Sequence, residues 1–360
     1  MPSFSQIMSC VMAAFLVVGA IDHFNKDKWG LGQKVETALK NFPLLFVVMG
    51  GIVAIIPSVT RLLEPIATIV CKPLGIDPGV LPGLILANDN GGYLFAKSMC
   101  MDERAGNLGG MVIAALLGAT ISGNIAPAII LNTKEDHPYI VRGFIYGFLV
   151  APIGAFAGGL LLGMPLLHLL KQLLPLIIAS LVLAFAFAKY TDIVVKAVIW
   201  LGKALAALAY AGLAVSAFVF LIGYEQECSG YITPVTEIAK LIGMIVVTLM
   251  GAYVMAEVVS RIFRRPLSLL GRKLGCNDTA MGGIVISLAN AFPTFSMTKE
   301  MNPKGKVVAY AFIFGASYAL GDHLAFCSSV APKLLPAMLT AKFTAAVLAV
   351  ALATTFKEKE

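Results

Sequence analysis

Residues 79–98 read GVLPGLILANDNGGYLFAKS, and residues 280–299 read AMGGIVISLANAFPTFSMTK. Both are apolar at their ends and polar at their centres. The first holds Asn88, Asp89 and Asn90 followed by Gly91-Gly92, and the second holds Asn290 with Pro293 and Thr294. A polar, helix-breaking centre in an apolar segment is tolerated in a bilayer only where protein or a water-filled cavity satisfies the freed backbone groups. The two stretches also align. Leu74-Gly75-Ile76-Asp77 recurs as Leu274-Gly275-Cys276-Asn277, Leu86-Ala87-Asn88 as Leu288-Ala289-Asn290, and Lys97-Ser98-Met99 as Lys299-Glu300-Met301. Downstream, Gly118-Ala119 with Gly123-Asn124 matches Gly315-Ala316 with Gly321-Asp322. Matches in fixed order, about 200 positions apart, mark an internal repeat.

Outside these stretches the chain reads as membrane. Of its 360 residues 59% are hydrophobic and 13% charged, against roughly 25% charged in soluble domains. Apolar runs between charged or Pro/Gly-rich breaks predict spans near 4–21, 42–59, 107–131, 143–166, 173–189, 197–222, 239–257, 307–331 and 334–355. The first run has no Lys or Arg before it and no small-residue cleavage pattern after it, so it is expected to stay as the first membrane helix.

Loop charge then orders the repeats. If both polar-centred segments turn back, most of the 27 Lys and Arg residues, including Lys26, Lys28, Lys34, Lys40 and the Arg261–Lys273 cluster, collect on one face. If both cross, the bias disappears. The positive-inside rule favours re-entrant hairpins and an inverted repeat, with residues 22–41, 133–142, 258–277 and the C-terminus cytoplasmic and 223–238 outside. The expected fold is an all-α polytopic membrane protein with two inverted repeats, each with a broken or re-entrant segment. The first repeat is placed at 1–166, a linking helix at 167–196 and the second repeat at 197–360.

Inverted repeats with one broken segment each form midplane sites in many secondary transporters. Asp89 sits at the centre of the first segment, where an ionised carboxylate needs a cation, donors or water. It contacts a solute or ion, or with Asn88 it caps the first half-helix. The second polar centre is Gly321-Asp322-His323, inside the predicted 307–331 span. Its carboxylate takes a cationic partner or fixes the imidazole tautomer. The structural alternative is an ion pair with Lys97 or Lys299 that ties two helices. The candidate substrate-binding residues are Asn88, Asp89, Asn90, Tyr93, Asn290, Thr294, Asp322 and His323.

Other classes are disfavoured. The net charge of +7 comes from short loops and contains no long basic tract, so nucleic acid is not expected as a partner. The cysteines Cys10, Cys71, Cys100, Cys228, Cys276 and Cys327 show no metal-type spacing, and neither disulfides, metal nor cofactor are expected. His323 with Ser328 or Ser329 falls on different faces of a regular helix, and no nucleophile elbow, zinc motif or phosphate loop is present, which argues against an enzyme. A channel lacks a charged ring here and a solute sensor lacks a signalling domain. Self-association into a homo-oligomer stays open.

The chain also resembles the bacterial ethanolamine-utilisation membrane protein family, EutH. The likeness rests on Asp89-Asn90-Gly91-Gly92 with Ala96-Lys97, on Leu288-Ala289-Asn290 with Pro293 and Met297, on Lys304-Gly305-Lys306-Val307, and above all on Ala319-Leu320-Gly321-Asp322-His323-Leu324. It runs through nearly the whole chain. Asn88 stands where some relatives carry Cys, and the stretch around Cys228 is shorter. The resemblance implies an ethanolamine permease of the bacterial inner membrane. Ethanolamine is mostly cationic at neutral pH, so a midplane carboxylate suits its ammonium, with Asp89 and Asp322 the choices. Asn88, Asn290, Thr294 and Tyr93 are candidates for its hydroxyl. The competing reading is a Na+- or H+-coupled carrier of a nucleoside, an amino acid or another small polar solute.

Overall fold

The computed structural model describes residues 3–356, and among them every regular element is helical. Eight stretches are long and apolar enough to cross a membrane: Phe4–Phe24, Gly32–Leu74, Glu103–Ile130, His137–Leu160, Leu166–Lys189, Thr191–Leu221, Val235–Leu274 and Pro332–Thr354. In chain order the helices are α1 (Phe4–Phe24), α2 (Gly32–Lys40), α3 (Phe42–Cys71), α4 (Tyr93–Met99), α5 (Glu103–Asn107), α6 (Ile125–Ile130), α7 (His137–Leu160) and α8 (Leu166–Lys189). They continue as α9 (Thr191–Leu221), α10 (Glu225–Cys228), α11 (Val235–Leu274), α12 (Asp278–Ser287), α13 (Phe292–Met297), α14 (Pro303–Ala316), α15 (Asp322–Val330) and α16 (Leu335–Thr354).

All the predicted spans but one have a long helix. The exception, 307–331, is two shorter helices, α14 and α15, separated by Ser317–Gly321. Tyr318 there has a left-handed φ of 61°. The break is satisfied from outside the segment: Tyr318 N donates to Ser287 O (2.9 Å) and Leu320 N to Leu288 O (2.8 Å). Gly321 permits that approach, since a Cβ on it would lie 2.0 Å from Ala289 O. The freed backbone groups of one broken segment thus pair with those of another.

Each polar-centred segment leaves and rejoins the structure at one clasp. The Asp77 carboxylate accepts from Gly79 N (2.7 Å), Met101 N (2.9 Å) and Asp102 N (2.7 Å), so the two ends of 77–102 are held together. About 200 positions later, Asn277 Nδ2 donates to Glu300 O (2.8 Å), Asn302 Oδ1 accepts from Asn277 N (3.1 Å), and Asn302 Nδ2 donates to Gly275 O (2.8 Å). Left-handed glycines, Gly75 (φ 65°) and Gly275 (φ 74°), turn the chain into each clasp. Both segments are therefore hairpins.

The clasps lie at opposite ends of α7. Beside the first, Arg104 Nη1 donates to Gly163 O, just past the helix's C-terminus (2.7 Å). Beside the second, Lys306 pairs with Asp136, just before its N-terminus. The 24 residues of α7 span about 36 Å, enough to cross the hydrocarbon core. Burial disfavours the Asp136 carboxylate, but hydrogen bonds from Lys306 and Thr133 and the lysine's charge outweigh it and hold its pKa below the ordinary value. The second-clasp face also carries the Lys304 bonds to the carbonyls of Thr354 and Phe356.

Helix packing follows from small residues. Gly143, Gly147, Ala151, Gly154 and Gly158 form one stripe of α7 facing α14 and α16; a Cβ on Gly154 would sit 2.7 Å from Ala341 O. In lipid, where apolar surface gains little by leaving its solvent, such close backbone approach supplies the packing attraction. One core joins α7, α8, α14 and α16; a second joins α1, α3, α11 and α15.

Candidate functional site

The first hairpin breaks because its sequence prevents a continuous helix. Pro78 and Pro82 lack an N–H and start two separate 3₁₀ turns, Pro78–Val80 and Pro82–Leu84. Ala87 is extended, Asn90 departs from helical geometry, and Gly91 takes φ 89° before α4 begins at Tyr93. The second breaks after α12, where Asn290 Oδ1 accepts from Phe292 N (2.9 Å) and α13 starts with Pro293 in its first turn.

The two breaks meet at Asp322-His323. The Asp89 carboxylate lies 3.7 Å from His323 Nε2, with the imidazole side chain 1% and the carboxylate 14% exposed. Asp322 Oδ1 accepts from Tyr253 Oη (2.8 Å) and Oδ2 from Asn290 Nδ2 (3.3 Å). Tyr253 Oη in turn accepts from Asn41 Nδ2 (3.0 Å). Asn88 Nδ2 rests on the sulfurs of Met111 (3.5 Å) and Met338 (3.6 Å). Asn88 Oδ1, Asp89 Oδ1 and His323 Nδ1 are buried without a hydrogen-bond partner. Such orphans are rare in a native interior, and three of them together make this a candidate binding site.

Five of the eight candidates therefore gather in one place: Asn88, Asp89, Asn290, Asp322 and His323. Asn90 belongs to the kink itself. Tyr93 stands at the edge, its ring edge-on to Phe326 (centroids 6.2 Å apart) and its hydroxyl 3.5 Å from Asn107 Oδ1. Thr294 is directed away from the cluster, its hydroxyl donating to Gly283 O (2.8 Å) to join the two arms of its own hairpin. The halves also touch through Asn124, which accepts from Tyr318 Oη (3.0 Å) and donates to Ser317 Oγ (3.2 Å).

The ion pair with Lys97 or Lys299 does not form. Lys97 pairs with Glu103 (3.1 Å) and Lys299 is exposed. The buried cation is Lys342 in α16, 0% exposed, donating to Ala115 O (2.7 Å). It attracts Asp89 without touching it. Lys342 had a visible signal: it is the one charged residue inside the apolar run 334–355, and such residues are costly at that depth. Tyr253 and Asn41 had none, because their role depends on a contact made only in the fold.

Beside the first break, a cavity of about 300 Å³ is lined by Val53, Ile56, Leu94, Thr233, Glu237, Ile238 and Leu241. Glu237 is its one charged lining residue.

Comparison with known proteins places this geometry in context. The model of the family described as "Ethanolamine utilisation protein, EutH" matches residues 4–356. A Listeria monocytogenes protein named "Probable ethanolamine permease EutH" is 32% identical, covering 97% of this chain and 93% of its own length. A Bacillus subtilis protein, "Uncharacterized protein YxeR", is 34% identical over 95% of this chain and 92% of its own. An Escherichia coli "Probable ethanolamine permease EutH" is 29% identical over 99% and 96%. No solved structure matches significantly.

Proposed function

The chain belongs to the ethanolamine utilisation protein EutH family, and from that premise we propose that it is a multi-pass permease of the bacterial inner membrane that carries ethanolamine. Its substrate is a small molecule and its setting a bilayer, as the permease names of its relatives imply. The observation that carries the reading is a charge imbalance. Of the two carboxylates at the meeting point of the breaks, Asp89 and Asp322, only Asp89 has a buried lysine of the chain, Lys342, within electrostatic reach. That leaves Asp322 as the carboxylate that no lysine of the chain balances.

Lys342 lies within electrostatic reach of Asp89. Asp322 has two neutral donors, Tyr253 and Asn290, and no cation beside it. The substrate ammonium therefore goes to Asp322, and its hydroxyl to the open valences of Asn88 Oδ1 and His323 Nδ1. Tyr93 and Phe326 wall the site, while Asn90 shapes it. A nucleoside offers no cation for the leftover charge, which disfavours that class.

Transport by alternating access follows from the halves. The chain is read as two inverted repeats, 1–166 and 197–360, joined by 167–196. The clasps hold the hairpin mouths at opposite faces, and rocking of one half on the other opens the shared centre to each side in turn. The test is uptake of labelled ethanolamine into proteoliposomes with choline, serine and uridine as competitors. Saturable uptake that serine and uridine do not inhibit is expected; absence of ethanolamine uptake contradicts the reading.

A further inference from the structure

Lys342 enters the ethanolamine reading only as the charge beside Asp89. Its surroundings are those of a bound cation. Ala115, whose carbonyl it meets, lies within Leu108–Gly118, a stretch wound in π-helical turns. Wide turns of this kind recur at functional sites, and the carbonyls of distorted membrane helices coordinate sodium ions or protons in secondary carriers. Asp89, with its unpartnered Oδ1, supplies the negative charge. A carboxylate and a backbone carbonyl are ligands a hard monovalent cation takes.

We propose that the Lys342 ammonium is a tethered stand-in for a coupling cation, so that this carrier works without sodium. The proposal rests on the permease reading for its role in transport, but the site itself is defined by Lys342, Asp89 and Ala115 whatever the solute. A lysine there keeps Asp89 neutralised through the whole cycle, where a free ion would have to bind and leave with the substrate. A lysine that only pins α16 to the π-helical stretch would leave no ion site behind on removal.

Truncation exposes the difference. Lys342→Ala removes the ammonium and opens room beside Asp89; Asp89→Asn combined with Lys342→Ala removes the site's charge as well. Melting temperatures of detergent-purified protein are compared in sodium chloride and in potassium chloride of equal concentration, with no ethanolamine present. Ligand binding raises the melting temperature of the state that binds. The expected result is a sodium-specific rise of about 3 °C or more in Lys342→Ala, and none in wild type or the double variant. Equal behaviour of Lys342→Ala in both salts overturns the proposal. Should Lys342→Ala not fold, wild-type uptake with sodium replaced by potassium on both sides still decides: undiminished uptake is expected, and loss of uptake overturns the proposal. Failure of ethanolamine uptake in both salts contradicts only the substrate assignment and leaves the melting comparison standing.

Discussion

The first hairpin closes on a carboxylate, Asp77, and holds at its break another, Asp89, that has a lysine of the protein nearby. The second closes on an amide, Asn277, and delivers at its break another amide, Asn290, to a carboxylate with no cation beside it, Asp322. The two regions share left-handed glycines, clasps and a broken centre, and they differ in where charge sits and whether the chain itself balances it. Two similarly built hairpins can therefore differ in charge, one carboxylate having a lysine of the chain within reach and the other only neutral donors.

The largest expected break in this comparison comes from Asp89→Asn. It leaves Lys342 buried without an opposing charge at its side, at a cost of about 3–5 kcal/mol, and protein yield and melting temperature should fall steeply. Adding Lys342→Met should restore both, as coupled sites require. A double variant no better than Asp89→Asn alone would show that the two groups do not sense each other.

Next come the clasps. Asp77→Ala strips three backbone N–H groups of one charged acceptor, and a loss of about 3 kcal/mol is expected. Asn277→Ala removes an N-cap, for about 1–2 kcal/mol. Unfolding in detergent should rank them in that order; the reverse would mean that the first mouth is not held by its carboxylate.

A smaller effect lies at the end of α7. The Asp136 pKa is lower in the folded chain than its ordinary value, so its contribution to stability is complete above the unfolded value of about 4. That contribution is lost as pH falls through the folded value. A melting profile against pH should show an acid-side decline that Asp136→Asn lessens. Smallest of all for transport is Thr294→Val, which removes the hydroxyl bond to Gly283 O. Stability should fall by about 1 kcal/mol with the half-saturation concentration for ethanolamine unchanged; a weakened affinity would place Thr294 in the site.

The hairpins were legible in the sequence because Asn-Asp-Asn-Gly-Gly and Leu-Ala-Asn-Ala-Phe-Pro interrupt apolar runs, and the Asp322-His323 centre because charge is costly there. The break at Ser317–Gly321 was not. Its residues contain no proline, and what opens the helix is the pair of carbonyls that Ser287 and Leu288 present from another segment. The direction of the Thr294 hydroxyl was not legible either, since it is set by the approach of Gly283. Asp89 pairs with no lysine on its own hairpin because Lys97 is drawn to Glu103 at the mouth, while Lys342 comes near it from α16, far along the chain.

The division of labour between the two carboxylates is tested most directly by ethanolamine binding to purified protein, comparing Asp322→Asn with the double variant Asp89→Asn, Lys342→Met. Loss of a buried charged partner costs about 2–5 kcal/mol of binding, so Asp322→Asn should weaken affinity roughly 30-fold or more. The double variant removes a balanced pair and should bind within about tenfold of wild type. Wild-type affinity in Asp322→Asn together with loss of binding in the double variant would contradict the account, because it would make Asp89 the partner of the substrate ammonium.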